Sequence, residues 1–272
     1  MKISKLLQDL SCFMKYECVV NIMWHTEIED YIRRIAKMRS GRETLIACCG
    51  NIETFNAAVN GVAGSDPLPI LWYIPAKNLK NHEIALYTLL KKDEREKHLG
   101  IGSLNGRGFV DRAVFGTSSD ISYFYPHRAN LKNMFGFFGA VKAYLKIIRS
   151  MPHDMTIMAN GKDYSGTYIL CSVTHTGSAG HIIKRREEYD LPENGALEVF
   201  LLEEPDKHDD YVRLISDIRR GKLINNPFVR IFRTDCIDIT TDDYPWLIDG
   251  MYSREYHNIS IKNIPEALRI LL

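Results

Sequence analysis

The chain has 272 residues, 45% of them hydrophobic and 25% charged, which suffices for one sizeable core or two of ordinary domain size. Its 35 basic and 34 acidic residues leave a net charge of +1, so no global field favours nucleic acid or an anionic membrane. No apolar run approaches the roughly 20 residues needed to span a bilayer, and the opening MKISKLLQDLSCFMKY lacks the continuous apolar segment of a signal peptide.

In chain order, Glu27 to Met38 places Ile28, Tyr31, Ile32, Ile35 and Ala36 at helical spacing, with Arg33, Arg34 and Lys37 on the other side and Gly41 as the stop. Thr44 to Cys49 is a short continuous apolar run, which predicts a strand covered on both faces in a parallel sheet. A helix is expected from about Thr54 to Val62, then a buried strand over Pro69 to Ile74 halted by Pro75, then a helix over Asn81 to Lys92. This alternation predicts a small three-layer α/β domain over residues 1–97. The charge run KKDEREK, Lys91 to Lys97, reads as a solvated helix end.

From Leu99 onward the segments turn to strand character. Gly108 to Phe115 reads as one strand. Thr156 to Ala159, the Asn160-Gly161 turn and Thr167 to Thr174 read as a hairpin. Leu197 to Leu202, Phe228 to Phe232, Cys236 to Thr240 and Asn258 to Lys262 complete a mostly antiparallel set, interrupted by helices at about Met134 to Ser150 and Asp209 to Arg220. A second, β-rich domain is expected over residues 98–262.

The six cysteines, Cys12, Cys18, Cys48, Cys49, Cys171 and Cys236, form no C-x-x-C pair, so the chain reads as a reduced intracellular protein. The histidines show no ligand spacing, and no metal site is expected from them. The glycines at 100, 102, 106 and 108 lack dinucleotide-fingerprint spacing, and no G-x-S-x-G occurs. The stretch LIACCGNIETFNAAVNG, Leu45 to Gly61, is different. It reads as strand, tight turn and helix, the geometry that usually cradles a phosphate, but with Ile52 and Glu53 where open amides would be wanted.

These residues resemble the diacylglycerol kinase catalytic family, which includes bacterial lipid kinases and sphingosine kinases. Counted back from Asn60-Gly61, that family's GGDGT loop falls on Gly50-Asn51-Ile52-Glu53-Thr54, and its GT-x-ND segment, after a strand ending in proline, falls beyond Pro75 on Ala76 to Lys80. Arg107-Gly108-Phe109 with Phe115-Gly116 resembles the opening strand of the second domain. The stretch from Leu131 to Tyr144, with Gly136 and Gly139, resembles a helix entered through glycine. ENGALEVF, Glu193 to Phe200, resembles the DG-x-LDV strand. WLIDGM, Trp246 to Met251, resembles the DGE segment, and the closing NISIKNIPEALRILL matches the last strand and tail.

The resemblance implies an α/β nucleotide-type domain followed by a β-sandwich-like lipid-kinase domain, with residues 263–272 returning to the first. It implies Gly50, Asn51, Thr54 and Lys77 as remnants of the nucleotide loop and Asp249 as the surviving catalytic carboxylate. If catalysis survives, it further implies ATP and Mg2+; otherwise no cofactor. It also implies a lipid or membrane surface as partner, with a cytoplasmic protein peripheral at the membrane.

The residues alone leave alternatives open. Asp249-Gly250 reads equally as a hairpin turn, and Thr54 as the N-cap of a helix beginning at Phe55. Lys77 and Lys80 read as ordinary loop lysines, Lys184 to Arg186 as a solvated loop, and the aromatics of Met134 to Tyr144 as core rather than lipid wall.

The departures share a direction. Phosphoryl transfer needs charge-neutralised, metal-held phosphates and a base on the acceptor hydroxyl. Ile52 offers no acceptor, Glu53 adds a negative charge, Lys80 and Asn194 replace aspartates, and Met251 replaces a glutamate with a side chain that can neither bind Mg2+ through oxygen nor accept a proton. The sequence therefore predicts a family member with lost or strongly reduced catalysis, a pseudokinase candidate that retains lipid or partner binding. Two alternatives stand beside it: an active ATP-dependent lipid kinase acting on a diacylglycerol or long-chain-base hydroxyl, and a regulatory subunit that self-associates or pairs with an active paralogue. No nucleic-acid partner is expected.

Overall fold

The computed structural model describes residues 25–39, 41–75, 96–116, 151–175, 196–205, 207–220 and 225–271. The chain divides into two compact units, Met1–Gly100 with Pro265–Leu272, and Ile101–Ile264. Among the described residues sheet predominates over helix. The expected helices at Asn81 to Lys92 and Met134 to Ser150 lie outside the described residues, as do Lys77, Lys80, Lys184 to Arg186 and Asn194.

In the first unit, helix α1 (His25–Met38) has the expected face, with Ile32 and Ala36 buried and Arg34 and Lys37 exposed. Gly41 follows it at φ +80°, a conformation that glycine adopts without strain. Strand β1 (Leu45–Gly50) leads into helix α2 (Ile52–Val62), and β2 (Ile70–Pro75) pairs with β1 in parallel, Leu45 opposite Ile70 and Gly50 opposite Pro75. The two helices meet at Gly61, where an added Cβ would lie 2.8 Å from both the Glu29 carbonyl oxygen and the Ile32 Cβ. Glycine sets that approach.

Ile70, Leu71 and Trp72 are buried in β2, whereas Ala47 and Cys49 of β1 are exposed. The expectation that β1 is covered on both faces is therefore corrected. Among the described residues it has a strand neighbour on one side only, β2.

Strand β3 (Glu96–Leu104) carries the chain from the first unit into the second. Glu96 and Lys97 thus open a strand rather than close a helix. The Glu96 carboxylate accepts from Arg269 Nε at 2.8 Å, and Arg269 also donates to the Leu68 carbonyl at 3.3 Å. A half-buried partner far along the chain, invisible to local charge patterning, explains the difference. Arg269 lies near the end of β12 (Met251–Leu271), whose residues Arg269 to Leu271 run parallel to Ile70 to Trp72 and complete the first unit's sheet.

In the second unit the expected single strand at Gly108 to Phe115 is two, β4 (Arg107–Phe109) and β5 (Arg112–Phe115), broken at Val110-Asp111. Then come β6 (His153–Ala159), β7 (Lys162–Asp163) and β8 (Gly166–Thr174), with the predicted Asn160-Gly161 turn at φ 51° and 70°. The order continues with β9 (Leu197–Glu203), helix α3 (His208–Arg220), β10 (Val229–Thr234) and β11 (Cys236–Ile248).

β5 and β6 lie end to end between the same two neighbours. Residues 171–174 of β8 pair with β5 and residues 166–168 with β6. On the other side, β11 gives Leu247 and Ile248 to β5 and Ile237 to Thr240 to β6. The two pieces occupy one strand position, and the chain leaves it after Phe115 and re-enters at His153. Both neighbours are irregular there, β8 between Tyr168 and Leu170 and β11 between Thr240 and Leu247.

The sheet buries both faces. One carries Phe115, Cys171, Val199, Ile239, Trp246 and Ile261; the other carries Val114, Leu170, Phe200 and Leu247 beneath Leu214 of α3.

Candidate functional site

The loop between β1 and α2 brings Gly50, Asn51 and Thr54 together, in a closed arrangement. Asn51 is the N-cap at φ −95° and ψ −177°, and α2 begins at Ile52. The cap is thus Asn51, not Thr54, and the helix starts three residues before the Phe55 start considered from sequence. Asparagine is among the strongest N-caps, because its side-chain oxygen meets an amide that the helix cannot satisfy.

Here Asn51 Oδ1 accepts from the Thr54 N–H at 3.0 Å and from the Thr54 hydroxyl at 2.9 Å. Asn51 Nδ2 donates to Glu53 Oε2 at 3.1 Å, which holds a carboxylate at the helix N-terminus. The Phe55 N–H is bonded to the Asn51 carbonyl at 3.2 Å. Gly50 survives for a packing reason, since a Cβ there would sit 2.6 Å from the Thr54 hydroxyl oxygen. Tyr73, which the sequence reading missed, closes one side of the loop: its hydroxyl donates to the Gly50 carbonyl at 3.4 Å and its ring lies 4.9 Å from that of Phe55. Burial pushes the Tyr73 hydroxyl above its ordinary range.

The test for polyphosphate is the donor set. The Thr54 amide is bonded to the cap, the Thr54 hydroxyl points its proton at the same oxygen, and the negative end of Glu53 stands where an anion would approach. This arrangement does not fit the polyphosphate of ATP. Nor, among the described residues, do three or more His, Cys, Asp or Glu side chains gather in a way that could hold a metal ion.

Asp249 belongs to the second unit. With Gly250 it forms the two-residue turn between β11 and β12, at φ 45° and 93°, so the hairpin reading of Asp-Gly describes its backbone. Its side chain does more. Oδ2 accepts from the Val110 N–H at 2.7 Å, and Oδ1 accepts from the N–H groups of Asp111 at 3.0 Å and Arg112 at 2.8 Å. The Asp249 N–H in turn donates to the Arg112 carbonyl at 2.9 Å. These bonds tie the β11–β12 turn to the chain between β4 and β5, and they account for the break in the strand expected over Gly108 to Phe115.

Asp249 is only 2% exposed. Burial pushes its carboxyl up from 3.8 to about 6, the three amides pull it down, and the nearby Asp111 charge adds to the rise. Three short bonds to charged oxygens make this carboxylate an anchor.

Asp111 and Arg112 were also missed from sequence. Arg112 is buried at 8% exposure, and its Nε donates to Asp111 Oδ2 at 2.9 Å. An acid and a base placed between Phe109 and the apolar run Ala113 to Phe115 were the available signal that no continuous strand crosses this point. Beside them the His175 N–H donates to the Asp111 carbonyl at 3.2 Å, and His175 Nε2 lies 2.9 Å from Asn263 Oδ1. Burial lowers the His175 ring below its ordinary range. Met251 is half-buried opposite Ile248.

Searches against protein-family models return no match. Among curated proteins, the chain is 26% identical over 219 residues to the diacylglycerol kinase of Bacillus subtilis (strain 168), covering 76% of this chain and 71% of that protein. Among solved structures, it matches a diacylglycerol kinase from Bacillus anthracis str. Sterne with a TM-score of 0.62 at 15% identity, over 93% of this chain and 83% of that one. A further structure from the same organism gives a TM-score of 0.69 at 16% identity, over 99% of this chain and 90% of that one.

Proposed function

We infer that this chain, which belongs with the bacterial diacylglycerol kinases by sequence and by fold, has lost or strongly reduced phosphoryl transfer and keeps a lipid- or partner-binding role. The observation that carries this reading is the filled cap at Gly50 to Thr54. Phosphoryl transfer is almost entirely positioning and charge neutralisation, so a loop that turns a carboxylate toward the phosphate position opposes the reaction at its main step. Met251 supports the same reading, because a thioether supplies neither a hard oxygen ligand nor a base.

One observation favours the alternative of a working ATP- and Mg2+-dependent kinase. A carboxyl at about 6 is suited to take a proton near neutrality. Against it, each Asp249 oxygen already accepts from at least one amide, which lowers its basicity and fixes its direction.

In this reading the protein is cytoplasmic and works at a membrane surface. No helix among the described residues is long and apolar enough to cross a membrane.

The test is transfer of labelled phosphate from Mg-ATP to dispersed dioctanoylglycerol, with an active diacylglycerol kinase as positive control. The expected result is no product above the protein-free blank. Product formed by the wild type and abolished in Asp249→Asn, with that variant shown to be folded, would overturn the inference.

A further inference from the structure

Residues 265–271 of β12 belong to the first unit, whereas the rest of that strand belongs to the second. Leu268, Ile270 and Leu271 are buried there, and Arg269 to Leu271 form a short parallel ladder with Ile70 to Trp72. The strand is least supported where it passes from one unit to the other. Ile264, Pro265 and Glu266 are all exposed, and the division between the units falls between the first two. Proline has no N–H to give to a ladder, and Glu266 sits at φ 51°, a left-handed conformation that strains a residue with a Cβ.

Just beyond this joint stands Arg269. Its Nε and Nη2 reach Glu96 Oε1 at 2.8 and 2.6 Å, and its Nη1 donates to the Leu68 carbonyl at 3.3 Å. Leu68 precedes β2 and Glu96 opens β3, so one guanidinium holds the segment both to the chain entering β2 and to the start of β3. The arginine and Glu96 side chains are 24% and 17% exposed, so water and salt screen this pair less than they screen an ion pair on the open surface.

We propose that residues 265–271 are a strap latched by Arg269, and that its release opens the first unit while the second stays folded. The second unit does not need the strap. β12 pairs with β11 between Met251 and Lys262, entirely upstream of the joint, and Ile259 and Ile261 are the strand's buried contribution to that core. The first unit does need it. Without Arg269 to Leu271, β2 loses a backbone partner, and Ile70, Leu71 and Trp72, now at most 4% exposed, are uncovered along that edge. Proteins open in such cooperative pieces, each with its own free energy, and an exposed, irregular joint beside a single polar latch is where one piece parts from the next. The proposal stands whether or not the Gly50 to Thr54 loop receives a nucleotide.

The chain carries its own reporters. Cys48 of β1 is buried in the first unit and Cys171 of β8 in the second, so each thiol reacts only when its own unit opens. The experiment is iodoacetamide labelling of the native full-length protein at pH 8, read site by site by mass spectrometry. It compares Arg269→Met and Glu96→Gln with the unlatched residues' parent, all three in a Cys49→Ser background so that the exposed neighbour takes no label. Glu96→Gln keeps the shape and removes one charge, and it carries the test if Arg269→Met does not fold.

The strap predicts that Cys48 is labelled at least about tenfold faster in the folded variants, the effect of losing one charge-assisted hydrogen bond, while Cys171 keeps the parent's rate. Unchanged labelling of Cys48 would overturn the proposal, because Arg269 would then latch nothing. Equal acceleration at Cys48 and Cys171 in Glu96→Gln would also overturn it, because the two units would then open together.

Discussion

Replacing Asp249 with alanine removes the acceptor of the Val110, Asp111 and Arg112 amides, which sit at 2.7, 3.0 and 2.8 Å. At about 2 kcal/mol for each buried donor left unmet, the gross loss is roughly 6 kcal/mol. The buried charge offsets part of it. A carboxyl raised from 3.8 to about 6 is held at a penalty in the ionised form, and its removal returns roughly 3 kcal/mol at pH 7. Alanine at φ 45° adds back about 1 kcal/mol of strain. The expected net destabilisation is about 4 kcal/mol, read as a lower midpoint in urea unfolding at pH 7.

The same carboxyl makes the stability of the fold depend on pH. Because the folded carboxyl lies above its unfolded value, its contribution to stability is fully present below 3.8 and is lost as pH rises through about 6. Between pH 5 and pH 7 this group alone lowers wild-type stability by about 1 kcal/mol, and the alanine variant lacks that slope. A variant as stable as the wild type at pH 7, with the same slope, would refute the anchoring role.

Three further outcomes are expected. Asn51→Ala removes both bonds from Thr54 to the cap and should cost about 1 kcal/mol of stability by denaturant titration; no loss would mean that Asn51 does not cap α2. Gly61→Ala places a methyl 2.8 Å from the Glu29 carbonyl and the Ile32 Cβ, so it should destabilise by about 1–3 kcal/mol despite the better helix propensity of alanine. A raised melting temperature would show that the two helices do not meet there. Burial pushes the Cys48 and Cys171 thiols up to about 12, so at pH 8 neither should react with iodoacetamide in the native protein, as followed by mass spectrometry. Labelling of Cys171 before unfolding would contradict its burial in the sheet.

Much of the described fold was legible because its signals are local. The helical spacing of Ile28 to Ala36, the apolar runs at Leu45 and Ile70, and the Asn160-Gly161 turn each specify their element without help from distant residues. What escaped depends on partners far along the chain. The break at Val110-Asp111 is held by a carboxylate more than 130 residues away. β3 begins inside a charge run because Arg269 meets Glu96. β11 runs far beyond its apolar stretch, through Pro245, because cross-strand pairing with Glu255 of β12 rather than local propensity extends it.

The candidate site shows the same division. The composition of the loop announced that its phosphate chemistry was wrong, since Ile52 and Glu53 are visible as residue types. The closed cap could not be read, because Asn51 and Thr54 suit an open phosphate loop and a helix cap equally well. Only the geometry shows Asn51 Oδ1 taking both the Thr54 amide and its hydroxyl. Likewise Asp249 was identified as a residue that matters, but its three amide partners belong to a distant segment whose approach no local pattern announces.

The central claim is that the Gly50 to Thr54 loop no longer receives a nucleotide, and thermal unfolding with increasing Mg-ATP tests it most directly. A ligand bound by the native state alone at a hundred times its dissociation constant stabilises by about 2.7 kcal/mol, which a melting curve resolves easily. The account predicts an unchanged melting temperature up to millimolar Mg-ATP. A saturable rise that is lost when Glu53 is kept and Thr54 is changed to valine would contradict it, because it would place the phosphates against the very hydroxyl that the cap occupies.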